Sequence, residues 1–154
     1  MVQLTQVTLT WQFLDNHMNK VIIHTNENGG VSVAYPTPEF LETNTVEDLL
    51  VNFPDHSIII DASTLPQGDD DAFFDAWELN GTTVTVNMTK AKAQRLRDFN
   101  KAAVEVAQKR QLNTLAAIEN IPDDATFTAS LTTGRTAISA ANTTTQLLAV
   151  VLPS

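Results

Sequence analysis

The side chains able to do chemistry are few and scattered. His17, His24 and His56 are the imidazoles of the chain, and none has a second histidine or a carboxylate three or four residues away within an expected helix. A helical zinc site would need that spacing to present two ligands on one face. The run Asp69-Asp70-Asp71-Ala72-Phe73-Phe74-Asp75 gathers the carboxylates a calcium or magnesium ion would use. With Asp69 as the first position of a calcium loop, however, the sixth is Phe74, where the sharp turn requires glycine, and the twelfth is Asn80, where glutamate should close the shell. The run reads instead as an acidic loop capping a short helical turn, with Phe73, Phe74 and Trp77 directed into the core. No Gly-x-Ser-x-Gly elbow, Walker loop or Gly-x-Gly-x-x-Gly turn is present. Zero cysteines exclude disulfides, thiolate metal sites and cysteine nucleophiles. The expectation is therefore a chain without catalytic residues, metal or cofactor. A hydrolase using Asp69, Asp70, Asp71 or Asp75 is the reserve alternative.

The elements that would position any site divide the chain by charge and by period. Residues 1–89 hold 13 acidic groups and one base, Lys20, whereas residues 90–154 hold 8 bases and 5 acids. A net charge of −9 over 154 residues argues against a general nucleic-acid binder, because counterion release requires a basic surface. The exception is Lys90, Lys92, Arg95, Arg97, Lys101, Lys109 and Arg110, read as a solvated helix face or one lying against acidic surface. With 43% hydrophobic residues the chain can bury a core, and its longest apolar runs fall far short of the ~20 residues a membrane span needs. No secretory signal is recognisable at the start, so the expected workplace is the compartment of synthesis.

Residues 6–13 alternate strictly, setting Val7, Leu9, Trp11 and Phe13 on one face of a strand and polar residues on the other. Met18 looks like a second chain start, which makes 1–17 an amphipathic arm suited to pairing with a sheet edge. Lys20–Thr25 and Val31–Tyr35 read as a hairpin around Asn26-Glu27-Asn28-Gly29-Gly30. Pro36 and Pro38 should end its ladder. Asn44 or Thr45 caps a short helix through Phe53, and Ser57–Ala62 reads as a strand covered on both faces. Asn80-Gly81 predicts a second hairpin.

From Thr89, a plausible N-cap, a stretch free of glycine and proline predicts one long helix to Asn120, with Leu96, Phe99, Ala103 and Val106 on a stripe that drifts to Leu112, Leu115 and Ile118. Asn120-Ile121-Pro122-Asp123 breaks it. Phe127, Leu131, Gly134, Ile138 and Ala141 then recur at helical spacing, and this period outweighs the β-propensity of the many threonines. Gly134 on that seam would let a neighbouring helix come close. Thr143 and Gln146 have capping-box spacing ahead of a short helix ended by Pro153. The predicted fold is α+β: an arm over 1–17, a small antiparallel sheet domain with a short helix over 18–88, and an αα-hairpin with a short terminal helix over 89–154. A two-helix hairpin has little core of its own, which favours an oligomer. The expected interface is Val7, Leu9, Trp11 and Phe13 of the arm with Leu96, Phe99, Val106, Leu115, Phe127, Leu131 and Ile138 of the hairpin.

Lys20-Val21-Ile22-Ile23-His24-Thr25-Asn26-Glu27-Asn28-Gly29-Gly30-Val31-Ser32-Val33-Ala34-Tyr35-Pro36-Thr37-Pro38, then Ile60-Asp61 to Leu65-Pro66 and Phe73-Phe74-Asp75-Ala76-Trp77-Glu78, resembles a group of small proteins of unassigned role encoded by tailed bacteriophages, often beside tail genes. The likeness covers most of 18–153. The arm and the Thr-rich segment 126–145 depart from the group's pattern. The resemblance implies a virion component assembled in the host cytoplasm, such as a tail, baseplate or fibre-attachment subunit. Its partners would be other tail proteins or copies of itself, with no nucleic acid and no membrane. A tail-fibre assembly chaperone is the alternative. The resemblance transfers no active site.

Overall fold

The structure, a computed structural model, describes residues 19–116 and 124–154, and the side chains of all of these except 112–116 and 124. The arm over 1–17 and the break at Asn120–Asp123 lie outside them. The fold is α+β, and the chain forms two units. The first contains 19–66 and 77–85; the second contains 67–76 and the chain from Val86 onward. The acidic segment thus belongs with the helices rather than with the sheet that precedes it.

In the first unit β1 (Lys20–Thr25) is the middle strand of a three-stranded antiparallel sheet, between β2 (Val31–Ala34) and β3 (Ile58–Asp61). Ile22 lies opposite Ala34 on one side and Ile59 on the other. Consecutive burial of Val21, Ile22 and Ile23 means that β1 is covered on both faces. The triplet Ile58-Ile59-Ile60, expected to be covered likewise, is only half-buried because β3 is an edge among the described strands. The first hairpin closes as its residues require. Gly29 sits at φ 71°, and Asn26 Oδ1 accepts the amides of Asn28 and Gly30, each at 3.0 Å.

The ladder ends at Ala34, ahead of Pro36, and Pro38 opens a one-turn helix, α1 (Pro38–Leu41), where its missing N–H costs nothing. Helix α2 (Val46–Leu50) starts at Thr45, not Asn44, and stops short of Phe53. Its capping box is reciprocal: the Asp48 amide donates to Thr45 Oγ1 at 3.2 Å, and the Thr45 amide to Asp48 Oδ2 at 2.8 Å. The Thr45 amide, and then the Thr45 hydroxyl, which donates to the same oxygen at 2.8 Å, hold the Asp48 carboxyl below the usual range. Asp61 caps a 3₁₀ turn, η1 (Ala62–Thr64), and the hydroxyl and then the amide of Ser63 lower its carboxyl in the same way. The second hairpin, β4 (Trp77–Asn80) and β5 (Thr83–Val86), turns at Gly81 with φ 64°.

The second unit contains η2 (Gly68–Ala76), α3 (Met88–Ala116), α4 (Asp124–Ala140) and α5 (Thr144–Leu148). Asn87, two residues before the expected cap Thr89, caps α3 by accepting the amides of Thr89 and Lys90 at 2.9 and 3.1 Å. Helices α3 and α4 run antiparallel. Lys92 Nζ donates to Ser139 O, Arg135 to Asn100 Oδ1, and the Arg110 guanidinium lies 4.1 Å from the Phe127 ring centre. Period prevails over propensity in α4, whose seam packs on α3, and its hydroxyls are satisfied along the helix. Thr132, Thr133 and Thr136 donate to the carbonyls of Thr128, Ala129 and Thr132 at 2.9–3.1 Å.

Phe99 is 2% exposed and stands against Gly134, where a Cβ would overlap its ring. Phe73, Ala76, Ala91, Ile138, Ala141 and Leu147 complete this core. Phe73 and Trp77 are buried as expected, but Phe74 is 43% exposed. Helix α5 begins at its Thr143 cap, yet Gln146 reaches the Asn142 amide at 2.6 Å instead of that of Thr143. It ends at Leu148, well before Pro153.

Gly134→Ala should gain about 1 kcal/mol of helix propensity and lose about 1–3 kcal/mol to overlap with Phe99. A net fall in unfolding free energy, measured with denaturant, is expected, with part regained by Phe99→Leu in the same chain. Asp48 and Asp61 have folded pKa values depressed below the unfolded value of about 3.9. Their stabilisation is therefore full above that pH and is lost as pH falls through the folded values. In an NMR titration both carboxyls should protonate below the ordinary aspartate value, and Thr45→Ala should move Asp48 upward.

Candidate interaction surface

The acidic run serves packing. The hydroxyls of Thr144 and Thr145 at the start of α5 donate to Asp70 Oδ1 at 2.6 Å and Asp69 Oδ2 at 2.5 Å, tying η2 to α5. Among the described residues no group of three or more histidines, aspartates and glutamates is placed to hold a metal ion.

The basic run of α3 is also partly internal. Arg95 donates to the carbonyls of Leu148 and Val150 at 3.3 and 2.5 Å, placing its charge at the C-terminal end of α5, where the helix dipole favours a cation. Lys92 does the same near the end of α4, at 2.8 Å from Ser139 O. Arg110 covers the Phe127 ring. Arg97, Lys101 and Lys109 remain on the exposed side of α3.

What the two helices leave open is apolar. A groove of about 420 Å³ runs between them, with Leu96, Ala103, Val104 and Ala107 of α3 facing Phe127 and Leu131 of α4. Leu96 is 37% and Val104 55% exposed on its lip. The Arg135 guanidinium crosses it to Asn100 Oδ1, with both nitrogens within 3.1 Å. A second hollow of about 560 Å³ lies beside Phe99, Gly134 and Ala137, walled by the chain from Val150 to Ser154, in which Val151 is 83% exposed.

The structure sorts the expected interface residues by depth. Phe99 and Ile138 are core residues, each 2% exposed, because α3, α4 and η2 close over them, so neither presents a surface to a partner. Val106, Phe127 and Leu131 are half-buried, and Leu96 is exposed. Leu115 lies on α3 but its side chain is outside those described, as are Val7, Leu9, Trp11 and Phe13 altogether. Val104 was not singled out by the sequence, since it stands beside the Leu96–Phe99–Ala103–Val106 stripe rather than on it. Also unforeseen is a ring cluster in the first unit. His24 and His56 have ring centres 6.0 Å apart, with Phe53 6.1 Å from His24. Thirty-odd residues separate the two histidines, and only the pairing of β1 with β3 brings them together.

The chain matches no family model, no curated protein and no solved structure. No described helix is long and apolar enough to cross a membrane.

Arg95→Met should cost roughly 1.5–3 kcal/mol locally, the scale of hydrogen bonds to a charged group. Amide exchange at Ala149 and Val150 should accelerate by about ten- to a hundredfold, while the β1 amides keep their protection.

Proposed function

We propose that this chain is a non-enzymatic assembly subunit acting through protein–protein contacts, and specifically a tail, baseplate or fibre-attachment component of a bacteriophage virion. The observation that carries the reading is the α3–α4 groove, a mainly apolar channel bridged by Arg135 and Asn100, whose lip residues Leu96 and Val104 remain in water. Side chains at helical spacing along such a channel suit a further helix, from a second copy or another tail subunit, in the knobs-and-grooves manner of bundles. Support of a different kind comes from the carboxylates and bases described above, several of which hold the fold together. The placement in a virus particle rests on the likeness of residues 20–38, 60–66 and 73–78 to phage tail-module proteins.

Two measurements test this. Light scattering of the full chain over a concentration series should show an assembly, and Leu96→Glu with Val104→Glu should dissociate it without loss of helix signal, because both side chains are already in water. Mass spectrometry of purified particles from the encoding virus should contain the chain. A monomer at every concentration that is also missing from the particle would reject the proposal. Absence from the particle together with a requirement for fibre folding would identify the assembly chaperone instead.

A further inference from the structure

We propose that His24 and His56 form a two-histidine site for a borderline divalent transition metal, Zn²⁺, Cu²⁺ or Ni²⁺, on the sheet unit. The inference does not depend on the proposed function, since it uses other residues in the other unit. Its first support is separation. A metal bound at about 2.0–2.1 Å from an imidazole nitrogen lies about 3.2 Å from the ring centre, so two rings sharing one metal have centres roughly 5–6.4 Å apart. The observed 6.0 Å falls in this range, with the rings inclined at 75°.

The second support is the hydrogen bonding of the rings. His56 Nε2 lies 3.2 Å from Thr25 O. A carbonyl only accepts, so Nε2 carries a proton, and in the neutral ring the lone pair is then on Nδ1. Donation of the distal N–H to a backbone carbonyl is the usual way a ligating histidine is oriented and made more basic. His24 Nδ1 is buried and has no hydrogen-bond partner among the described residues. Leaving such a nitrogen unmatched is unfavourable, and metal ligation would offset that cost.

A third polar group stands across the strand pair from His24. Ser57 is 7% exposed, its hydroxyl finds no partner among the described residues, and the β1–β3 register continued by one residue sets it opposite His24. That hydroxyl can accept a hydrogen bond from a metal-bound water. Phe53, beside His24, supplies an apolar wall. With two imidazoles and few oxygens the set suits nitrogen-seeking metals and disfavours Mg²⁺ and Ca²⁺, which require oxygen shells.

The test uses the full chain with His17→Gln, which removes the remaining imidazole from the readout. Zn²⁺ is titrated while the ring nitrogens are followed by NMR. The expected result is a joint shift of the His24 and His56 Nδ1 signals saturating at one metal per chain, with no response to Mg²⁺. His56→Gln should weaken binding at least about tenfold. His56 is exposed, so this variant leaves the strand packing intact and decides the matter even if His24→Gln does not fold. Equal Zn²⁺ affinity in His56→Gln, or no coupled shift of the two rings, overturns the proposal.

Discussion

The helical unit depends on the contact between the Phe99 ring and the bare backbone of Gly134. The missing side chain lets α4 approach α3 closely enough for one aromatic ring to fill the space between them. Around that ring Ile138, Ala141, Leu147 and Ala91 form a core from mostly small or short side chains. Because the approach is fixed there, the polar contacts on either side fall into register: Lys92 with Ser139 toward one end, Asn100 with Arg135 in the middle, Arg110 over Phe127 toward the other. A bulkier residue at 134 would force the helices apart and loosen all three.

The charge asymmetry has a structural side. Lys92 and Arg95 complement carbonyls at the ends of α4 and α5, and Asp69 and Asp70 receive the hydroxyls that open α5. Groups that in sequence suggest a metal loop or a polyanion track thus hold short elements in place. A five-residue helix is too short to be stable alone, so α5 needs such contacts at both ends.

Periodicity and turn chemistry made much of this fold readable. The hairpins at Gly29 and Gly81, the helical course of the threonine-rich segment and the role of Gly134 all follow from local rules that the structure obeys. Sequence and structure part where two local rules compete or tertiary context decides. Asn44 and Thr45 were both competent caps, and only Thr45 has its partner at Asp48. Phe73 and Phe74 are alike in type, yet the kinked 3₁₀ course of η2 buries one and exposes the other. The Ile58-Ile59-Ile60 run looked like a central strand, but no sequence signal tells an apolar edge from an apolar middle. The pairing of His24 with His56 was illegible for the same reason, since it arises from strand order and not from spacing.

Helix α4 has one further property. From Ala125 to Ala140 its only charged residue is Arg135, and that guanidinium is engaged with Asn100. The outer side is otherwise lined by methyls and back-bonded hydroxyls, so apart from that one cation and the helix dipole it presents little charge to its surroundings. Ionic strength has little leverage on such a surface: adhesion to it would be governed by fit and dehydration, and would persist from dilute buffer to brine.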